Sequence, residues 1–566
     1  MKNSSTALII LLVAAVGLHL LVVAQDFATL AKNGYLYDDS FYAFQIARSI
    51  SEGHGPTFDG VHLTNGFQPL YVLMLVPVFS LAGTDPITPI YAALVLLALL
   101  TVATAIPLYN IVRRYVRPPA ALAATGLWLF SPIVIRQSAN GLETALALFL
   151  LSLAVWFYLD RVRSSEHPSR GAFVKLGLLL GLCALARVDL VLLAFSIVLD
   201  YLLLLRRRGA HNGELRGIVT SAAVALIIYS PWMLYGVFAV GSPFQESGTA
   251  TRFLSIAYAP LFDLGPRTMV ADGPSASFVW SHLVHSLTVL KVNPITHVLF
   301  RGLEKFTAET PLSAACSIAA NVMGIGMILF LGMWVRRRAR TTQRGELSFL
   351  LLFAVIMIVA YSSWIFGVFF FTRYYYPLFF VGAIFGGLLF EDMLGLVSRW
   401  RIPYRRVAMV ACALYMFGVG WMAWSAAFRS SPVYHFYDVA QWVKGNIGED
   451  DTLGIFQSGA IGYLSGRKVV NLDGKVNFDA RHALETDRLD DYIAEAGIDV
   501  VMDDMKVLDL FLGPWDKSDY DRLADRALYV GSRQGAPGWV GYRVSDSAIM
   551  RAGSAKTSAG GGSPTP

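Results

Sequence analysis

The stretch that decides the fold is YLYDDSFYAFQIARSISEGHGPTFDGVHLTNGFQ, residues 35–68, a polar island in a chain of apolar helices. It follows the first long apolar run and carries two adjacent carboxylates, Asp38 and Asp39. Apolar residues recur at helical spacing from Phe41 to Ile50, and such an amphipathic helix is suited to lie in a membrane surface. The pattern predicts two carboxylates fixed at the water–lipid boundary, so this loop is the candidate active site.

The chain as a whole is too apolar for a soluble protein. Of its 566 residues 55% are hydrophobic, the mean hydropathy is +0.53, and long apolar runs recur, as is typical of a polytopic membrane protein. The net charge of +6 lies in short basic clusters between apolar runs, so we expect no nucleic-acid binding. All three cysteines, Cys183, Cys316 and Cys412, lie inside apolar runs, which argues against a disulfide framework or a cysteine-bound metal.

Basic residues set the predicted orientation. Lys2 precedes the first span, so we expect a cytoplasmic N-terminus, with the Asp38–Asp39 loop outside. The apolar run 67–82 is short and contains two prolines; if it crossed the membrane, the arginines at 113, 114 and 117 would lie outside. We therefore predict a surface or re-entrant helix there, because every later basic cluster then stays cytoplasmic. Those clusters are 161–163, 206–208, 336–340 and 399–406.

The apolar runs predict about eleven membrane spans in total. They are expected at 7–24, 87–112, 120–136, 142–159, 172–187, 189–205, 217–240, 313–335, 347–367, 374–394 and 407–427. We expect a transmembrane catalytic domain over 1–430, an extracytoplasmic α/β domain over 431–550 and a disordered tail over 551–566. In the second part β-like runs at 452–456, 468–472, 499–502 and 539–544 alternate with helical stretches such as 487–496.

Further polar residues are expected on the same outer face as the acids. Glu143 lies at the start of the fourth span, and Arg187 and Asp189 lie at the break between the fifth and sixth spans. Arg373 lies at the start of the tenth span. The long outer loop after the seventh span adds Arg252. A phosphate ester at the membrane surface needs cations, and an attacking hydroxyl needs a base. The outer face is therefore predicted to supply both.

Each candidate also has a structural alternative. Asp39 is a favoured N-cap residue for the helix that follows it, and Glu143 suits the first turn of a helix. Arg187 and Asp189 are expected to pair with each other at a buried helix junction. A span-end arginine such as Arg373 can extend to the interface. The histidines lack metal-ligand spacing, so no metal site is predicted.

The sequence resembles the membrane-embedded GT-C glycosyltransferases that use polyprenyl-phosphate sugars, the class that includes protein O-mannosyltransferases and the lipid A aminoarabinose transferase. The matching features are the acids after the first span, a surface helix over 40–51, a second one opened by Gln68-Pro69-Leu70-Tyr71, and Glu143 in the second outer loop. The architectural match covers roughly residues 1–430, and the sharp motif about 35–71. Protein O-mannosyltransferases show Asp-Glu where this chain has Asp-Asp, and the Trp-Trp-Asp signature of oligosaccharyltransferases is absent from the sequence.

The resemblance implies an inverting transfer of a sugar from a polyprenyl-phosphate donor to a hydroxyl of a glycan, lipid or protein acceptor. Asp39, or Asp38, would remove the acceptor proton, with Glu143 as a second acidic site residue. Arg373 and Arg252 would bind the donor phosphate. No soluble nucleotide or other cofactor is implied. The reaction would take place on the extracytoplasmic face of the plasma membrane, where the C-terminal domain would orient the acceptor.

Two alternatives stay open from the sequence. One is a transporter or flippase for a lipid-linked glycan, but transporters typically show internal repeats and ionisable residues near the bilayer midplane. Here the charges cluster at helix ends and no repeat is visible. The other is a glycan polymerase or ligase, whose donor carries many sugars. The sequence does not distinguish it from single-sugar transfer.

Overall fold

A computed structural model of the chain describes residues 2–83, 85–209, 212–258, 343–364, 373–397, 436–513, 528–533 and 536–544. Up to residue 397 the regular elements of the described chain are helices, and a five-stranded sheet with helices follows from residue 436. The expected combination of a polytopic helical protein with a small C-terminal α/β domain is confirmed. The expected spans 313–335 and 407–427 and the tail 551–566 lie outside the described residues.

The chain divides into two units, each made of several stretches. Unit 1 comprises Met1–Tyr35, Tyr91–Pro231 and Val279–Ser431, and unit 2 comprises Leu36–Ile90, Trp232–Phe278 and Pro432–Pro566. One unit boundary lies after Ser431, next to the domain boundary expected near residue 430. Unit 2 also takes in residues 36–90, so the acid-bearing loop and the C-terminal sheet belong to the same unit.

Six helices in the described part of the chain are long and apolar enough to cross a membrane. They are Ser4–Val23, Thr88–Arg113, Thr144–Arg163, Val188–Arg208, Gly213–Val240 and Gly345–Trp364. Other helices before the sheet are Phe27–Lys32, Asp38–Ser51, Pro69–Ala82, Pro118–Leu129, Pro132–Ser138, Arg170–Ala186, Glu246–Ala257 and Tyr376–Val397. The total of about eleven spans stays a prediction.

Local backbone chemistry interrupts the helices at two places in unit 1. The expected span 120–136 is split, because Ser131 precedes a proline and adopts extended angles (φ −70°, ψ 131°). One helix therefore ends at Leu129 and the next begins at Pro132. Arg187 is also extended (φ −156°, ψ 125°), and a 3₁₀ turn, Val188–Leu190, follows it. The predicted break between the fifth and sixth spans is confirmed.

In unit 2 the helix Asp38–Ser51, the acid helix, is buried over most of its surface. Helices Pro69–Ala82 and Gly459–Ser465 pack against it. Its buried residues are Ser40, Phe41, Tyr42, Ala43, Phe44, Ile46, Ala47 and Ser49. The helix Pro69–Ala82 has 14 residues, fewer than the about 20 that a helix needs to cross a bilayer, in line with the predicted non-spanning segment.

The C-terminal sheet has the strand order β2-β1-β3-β5-β4. The strands are β1 Thr452–Ile455, β2 Lys468–Asn471, β3 Val500–Asp504, β4 Tyr529–Arg533 and β5 Ala536–Arg543. The first three pair in parallel and the last two antiparallel, so the carboxyl ends of β1, β2 and β3 meet at one edge. Flanking helices are Phe436–Asn446, Gly459–Ser465, Phe478–Glu485, Leu489–Glu495 and Met505–Leu512. The four predicted β-runs are confirmed, and β4 was not predicted.

Candidate active site

The two acids lie in the first turn of the acid helix. Tyr37, with extended angles of φ −91° and ψ 152°, occupies the N-cap position, and the helix begins at Asp38. Asp39 is therefore the second helical residue, and the structural alternative that made it the N-cap is wrong. Carboxylates in a first turn interact favourably with the helix dipole, which lets the backbone tolerate two of them side by side.

The carboxylate of Asp38 accepts hydrogen bonds from the backbone at the start of helix Gly459–Ser465. The Ala460 N–H donates to Oδ1 at 2.7 Å and the Gly459 N–H donates to Oδ2 at 3.3 Å. Only glycine suits position 459, because a Cβ there would lie 2.2 Å from the Asp38 carbonyl oxygen. Burial raises the pKa of Asp38 to about 7, although the Ala460 N–H opposes the shift. Asp38 therefore titrates near neutral pH.

Tyr42, one turn further along the acid helix, is tied to the carboxyl ends of β1 and β2. Its hydroxyl lies 3.4 Å from the Phe456 carbonyl oxygen and 3.3 Å from Ser458 Oγ, and it accepts from Asn471 Nδ2 at 3.2 Å. Asn471 also donates to Ser458 Oγ at 3.0 Å. Burial raises the pKa of Tyr42, so the hydroxyl stays neutral. This network fixes the acid helix against the sheet edge.

Lys475, which follows β2, contacts the second acid. Its Nζ lies 3.4 Å from Asp39 Oδ1 and 3.1 Å from Asp473 Oδ2. The side chains of Asp39 and Lys475 are 24% and 22% exposed, whereas that of Asp473 is 2% exposed. Burial disfavours the charge on Lys475, but the carboxylates of Asp39 and Asp473 raise its pKa well above the usual value. The lysine is therefore a permanent cation beside Asp39.

Sequence reasoning missed Lys475, Asp473, Asn471 and the backbone of Gly459 and Ala460. One signal was available, since Asn-Leu-Asp-Gly-Lys at 471–475 continues directly from a predicted strand. In open α/β sheets, ligands and functional side chains collect at the carboxyl ends of parallel strands. That rule would have selected these residues, but not their contact with the acid helix.

Arg252 lies in unit 2 on the helix Glu246–Ala257, and its side chain is partly exposed. The start of that helix is held by the Glu246 N–H, which donates to Asn65 Oδ1 at 2.9 Å. The Glu246 carboxylate, only 1% exposed, accepts from Arg481 Nε at 2.5 Å. A buried ion pair thus fixes the helix that carries Arg252.

In unit 1, Glu143 and Asp189 share the guanidinium of Arg187. Nη1 donates to Glu143 at 2.8 Å, and Nε and Nη2 donate to Asp189 at 3.1 and 2.8 Å. Nη2 also donates to the hydroxyl of Tyr361 at 3.0 Å. The side chain of Arg187 is 6% exposed and those of both acids are 12% exposed. The predicted pairing of Arg187 with Asp189 is confirmed, and Glu143 completes it.

Arg373, also in unit 1, lies three residues before the helix Tyr376–Val397. Its guanidinium stands 5.0 Å from the centre of the Tyr374 ring, and Nη2 donates to the Tyr374 hydroxyl at 3.2 Å. Tyr361 in turn packs on Tyr374, with ring centres 5.1 Å apart. Aromatic contacts of this kind fix the direction of an arginine side chain.

The predicted site residues thus fall into two groups. Asp38, Asp39 and Arg252 belong to unit 2, and Glu143 and Arg373 belong to unit 1. Among the described residues, no group of three or more His, Cys, Asp or Glu side chains is placed to hold a metal ion.

Two family models match parts of the sequence. The model described as dolichyl-phosphate-mannose-protein mannosyltransferase matches residues 69–235, and a domain of unknown function matches residues 424–545. The first match begins at Pro69, directly after the acid-bearing loop of residues 35–68, and ends in the helix Gly213–Val240. No curated protein matches the sequence.

Two solved structures of oligosaccharyltransferase from Archaeoglobus fulgidus share the fold. The Archaeoglobus fulgidus oligosaccharyltransferase tethered to an acceptor peptide is 17% identical over 95% of this chain and 74% of its own, with a TM-score of 0.55. The same archaeal enzyme, AglB, in complex with an inhibitory peptide and a dolichol-phosphate is 16% identical over the same shares, with a TM-score of 0.54. ArnT from Cupriavidus metallidurans bound to undecaprenyl phosphate is 17% identical over 94% of this chain and 97% of its own, with a TM-score of 0.47. The expectation of a GT-C fold is confirmed.

Proposed function

We propose that this chain is an inverting membrane glycosyltransferase. It moves a sugar from a polyprenyl-phosphate donor to a hydroxyl acceptor on the extracytoplasmic face of the membrane. The acceptor belongs to a glycan, a lipid or a protein, and the membrane lipids surround the transmembrane helices. The C-terminal sheet, which belongs to the same unit as the acid helix, lies on that face as well.

Three observations support the proposal. The fold is that of an oligosaccharyltransferase whose solved complex contains a dolichol-phosphate and a peptide. The match to the mannosyltransferase family model covers the segment directly after the acid-bearing loop. The observation that carries the proposal is the carboxyl pair, Asp38 and Asp39, fixed at the start of a buried helix, with Asp38 titrating near neutral pH.

The reaction needs one proton transfer and one displacement. Asp39 removes the proton from the acceptor hydroxyl while the hydroxyl oxygen attacks the anomeric carbon of the donor sugar. The new glycosidic C–O bond forms on the face opposite the phosphate, which inverts the anomeric configuration. The bond from the anomeric carbon to the phosphate oxygen breaks, and the lipid phosphate leaves with that electron pair.

The hydrogen bonds of the two acids favour Asp39 as the base and Asp38 as its support. Both oxygens of Asp38 already accept from backbone N–H groups, at 2.7 and 3.3 Å. Asp39 is 24% exposed and lies beside a lysine, so an acceptor hydroxyl has access to it. Asp39 is adjacent to Asp38 and its charge raises the pKa of Asp38, so the apparent pKa of the acid limb of the pH–rate profile belongs to the pair.

The departing phosphate carries a negative charge that requires cations. Arg373 and Arg252 keep the donor-phosphate role inferred from the resemblance, and guanidinium groups suit it because they bind phosphate in a bidentate manner. Glu143 is the predicted second acidic residue of the site, but its ion pair with Arg187 favours a structural role.

Substitution of each acid by its amide tests the proposal. Membranes that contain matched amounts of wild type, Asp39→Asn and Asp38→Asn are supplied with radiolabelled undecaprenyl-phosphate hexoses and pentoses. General-base help contributes about 10²–10⁴-fold, so we expect Asp39→Asn to lower transfer by that order and leave donor binding nearly intact. If both variants transfer sugar at the wild-type rate, the carboxyl pair is not the base and the mechanism is wrong.

A further inference from the structure

We propose that Lys475 is a positioning residue for sugar transfer, and that its ammonium group holds the Asp39 carboxylate ionised and fixed in direction. The C-terminal α/β domain would then supply part of the catalytic centre itself, in addition to orienting the acceptor. The inference rests on the proposed function, because it concerns the base of that reaction.

The loop that carries Lys475 is fixed from two sides. The Lys475 N–H donates to Asp473 Oδ1 at 2.9 Å, and Asp473 is 2% exposed. On the other side, Gly66 of the first outer loop lies so close that a Cβ there would be 1.9 Å from the Lys475 carbonyl oxygen. A lysine on a mobile loop makes a transient ion pair of small value. This lysine has its backbone fixed, so its ammonium group occupies a defined place.

The same ammonium serves two acids. Nζ lies 3.4 Å from Asp39 Oδ1 and 3.1 Å from Asp473 Oδ2, and Asp38 is close enough to feel its charge. Asp473 is buried and anchors the lysine, whereas Asp39 is partly exposed. An opposite charge within about 4–6 Å lowers the pKa of a carboxyl group by about 1–3 units. Lys475 thereby keeps the more accessible acid in the form that can accept a proton.

In the described part of the chain, the titratable groups around Lys475 are acids and phenols. The acids are Asp38, Asp39 and Asp473, and the phenols are those of Tyr42 and Tyr258. Burial raises the pKa of both phenols well above the usual value, so they are neutral across the working range of pH. Loss of the lysine removes one positive charge from beside these adjacent carboxyl groups, which favours their protonation.

A purely structural cross-link and a positioning role predict different results. If Lys475 only joins the loop to the acid helix, its removal lowers stability and reduces transfer to the same extent at every pH. If it holds Asp39 ionised, its removal raises the pKa of the base. The acid limb of the pH–rate profile then moves to higher pH, and transfer recovers as the pH rises.

The test measures the pH–rate profile of Lys475→Met, Lys475→Arg and the control Lys468→Met with the donor panel described above. Lys468 starts the strand that precedes Lys475 and its side chain is exposed, so the control removes the same kind of charge away from the acids. We expect the acid limb of Lys475→Met to move up by about 1 unit or more, with kcat reduced about 10-fold at neutral pH and donor KM unchanged. Lys475→Arg keeps the limb in place because it keeps the charge, and Lys468→Met behaves as wild type. If Lys475→Met accumulates poorly, Lys475→Gln replaces it with the same expected shift.

The inference is overturned if the acid limb of the pH–rate profile stays in place when Lys475 is replaced by Met or Gln. It is also overturned if such a variant loses transfer to the same extent at every pH. The proposed function fails in a different way. In that case wild type consumes no polyprenyl-phosphate sugar, or Asp39→Asn transfers as well as wild type. If wild type is active, Asp39→Asn is inactive and the Lys475 variants show no shift of the acid limb, the inference about Lys475 is wrong and the proposed function stands.

Discussion

The two units contain acid clusters that differ in how their charges are matched. In unit 1, Glu143 and Asp189 are bound by one guanidinium that uses Nε, Nη1 and Nη2, and all three side chains are nearly buried. In unit 2, the carboxyl groups of Asp39 and Asp473 share the ammonium of Lys475, and Asp38 is held by backbone N–H groups.

This difference indicates separate uses for the two clusters. In the first cluster the arginine and both acids are nearly buried, and loss of one partner of such a buried ion pair is strongly destabilising. In the second cluster Asp39 and Lys475 are partly exposed and burial raises the pKa of Asp38 to about 7, so the acid pair can exchange a proton at neutral pH. We therefore assign a structural role to the cluster of unit 1 and a catalytic role to the cluster of unit 2.

The largest effect on stability is expected where the guanidinium of unit 1 is removed. Arg187→Met removes the guanidinium that binds both Glu143 and Asp189 in a nearly buried site, and breaking a buried pair in this way costs about 3–5 kcal/mol. Thermal unfolding in detergent and the yield of folded chain measure this cost. Arg206→Met, at an exposed helix end, is the control and should unfold as wild type does. Equal unfolding midpoints for both variants would contradict the structural assignment.

A smaller effect, directed at unit 2, is expected from Gly66→Ala. The new methyl group would collide with the Lys475 carbonyl oxygen, so the loop must move although no charge changes. Overpacking of this kind costs about 1–3 kcal/mol, and a displacement near 1 Å can lower a rate by up to about 10²-fold. Transfer per folded molecule and thermal unfolding are measured side by side.

Gly445→Ala is the matched control for that substitution. Gly445 lies in the helix Phe436–Asn446, and a Cβ there meets no atom within 4 Å. Alanine is favoured over glycine in helices, so this variant should be as stable as wild type or more so, with unchanged transfer. If Gly66→Ala transfers sugar like Gly445→Ala, the exact place of Lys475 is unimportant.

Local sequence patterns predicted most of the fold that positions the site. Apolar run length predicted the six helices of the described residues that are long enough to cross a membrane and the short helix Pro69–Ala82. The polar break at Arg187 predicted the turn that follows it. Short β-like runs predicted four of the five strands in the described residues. Ser131 shows where run length fails, because the residue before a proline ends a helix even inside an apolar stretch.

The candidate site was predicted only in part, because the residues that contact the two acids lie far from them in the sequence. Asp38 and Asp39 were found since two acids beside an apolar helix are a local anomaly. Lys475 lies 436 residues from Asp39, and Ala460 lies 422 residues from Asp38. A local sequence pattern cannot predict a contact between residues so far apart. Packing of the acid helix on the sheet edge creates it.

Transfer by Asp39→Asn and Glu143→Gln, measured in the same membranes and divided by the amount of folded chain, tests the assignment of the two clusters most directly. Each change removes one carboxylate and keeps the size of the side chain. The account predicts a loss of about 10²–10⁴-fold for Asp39→Asn and wild-type transfer per folded molecule for Glu143→Gln, which instead lowers the unfolding midpoint. A greater loss of transfer in Glu143→Gln than in Asp39→Asn would contradict it.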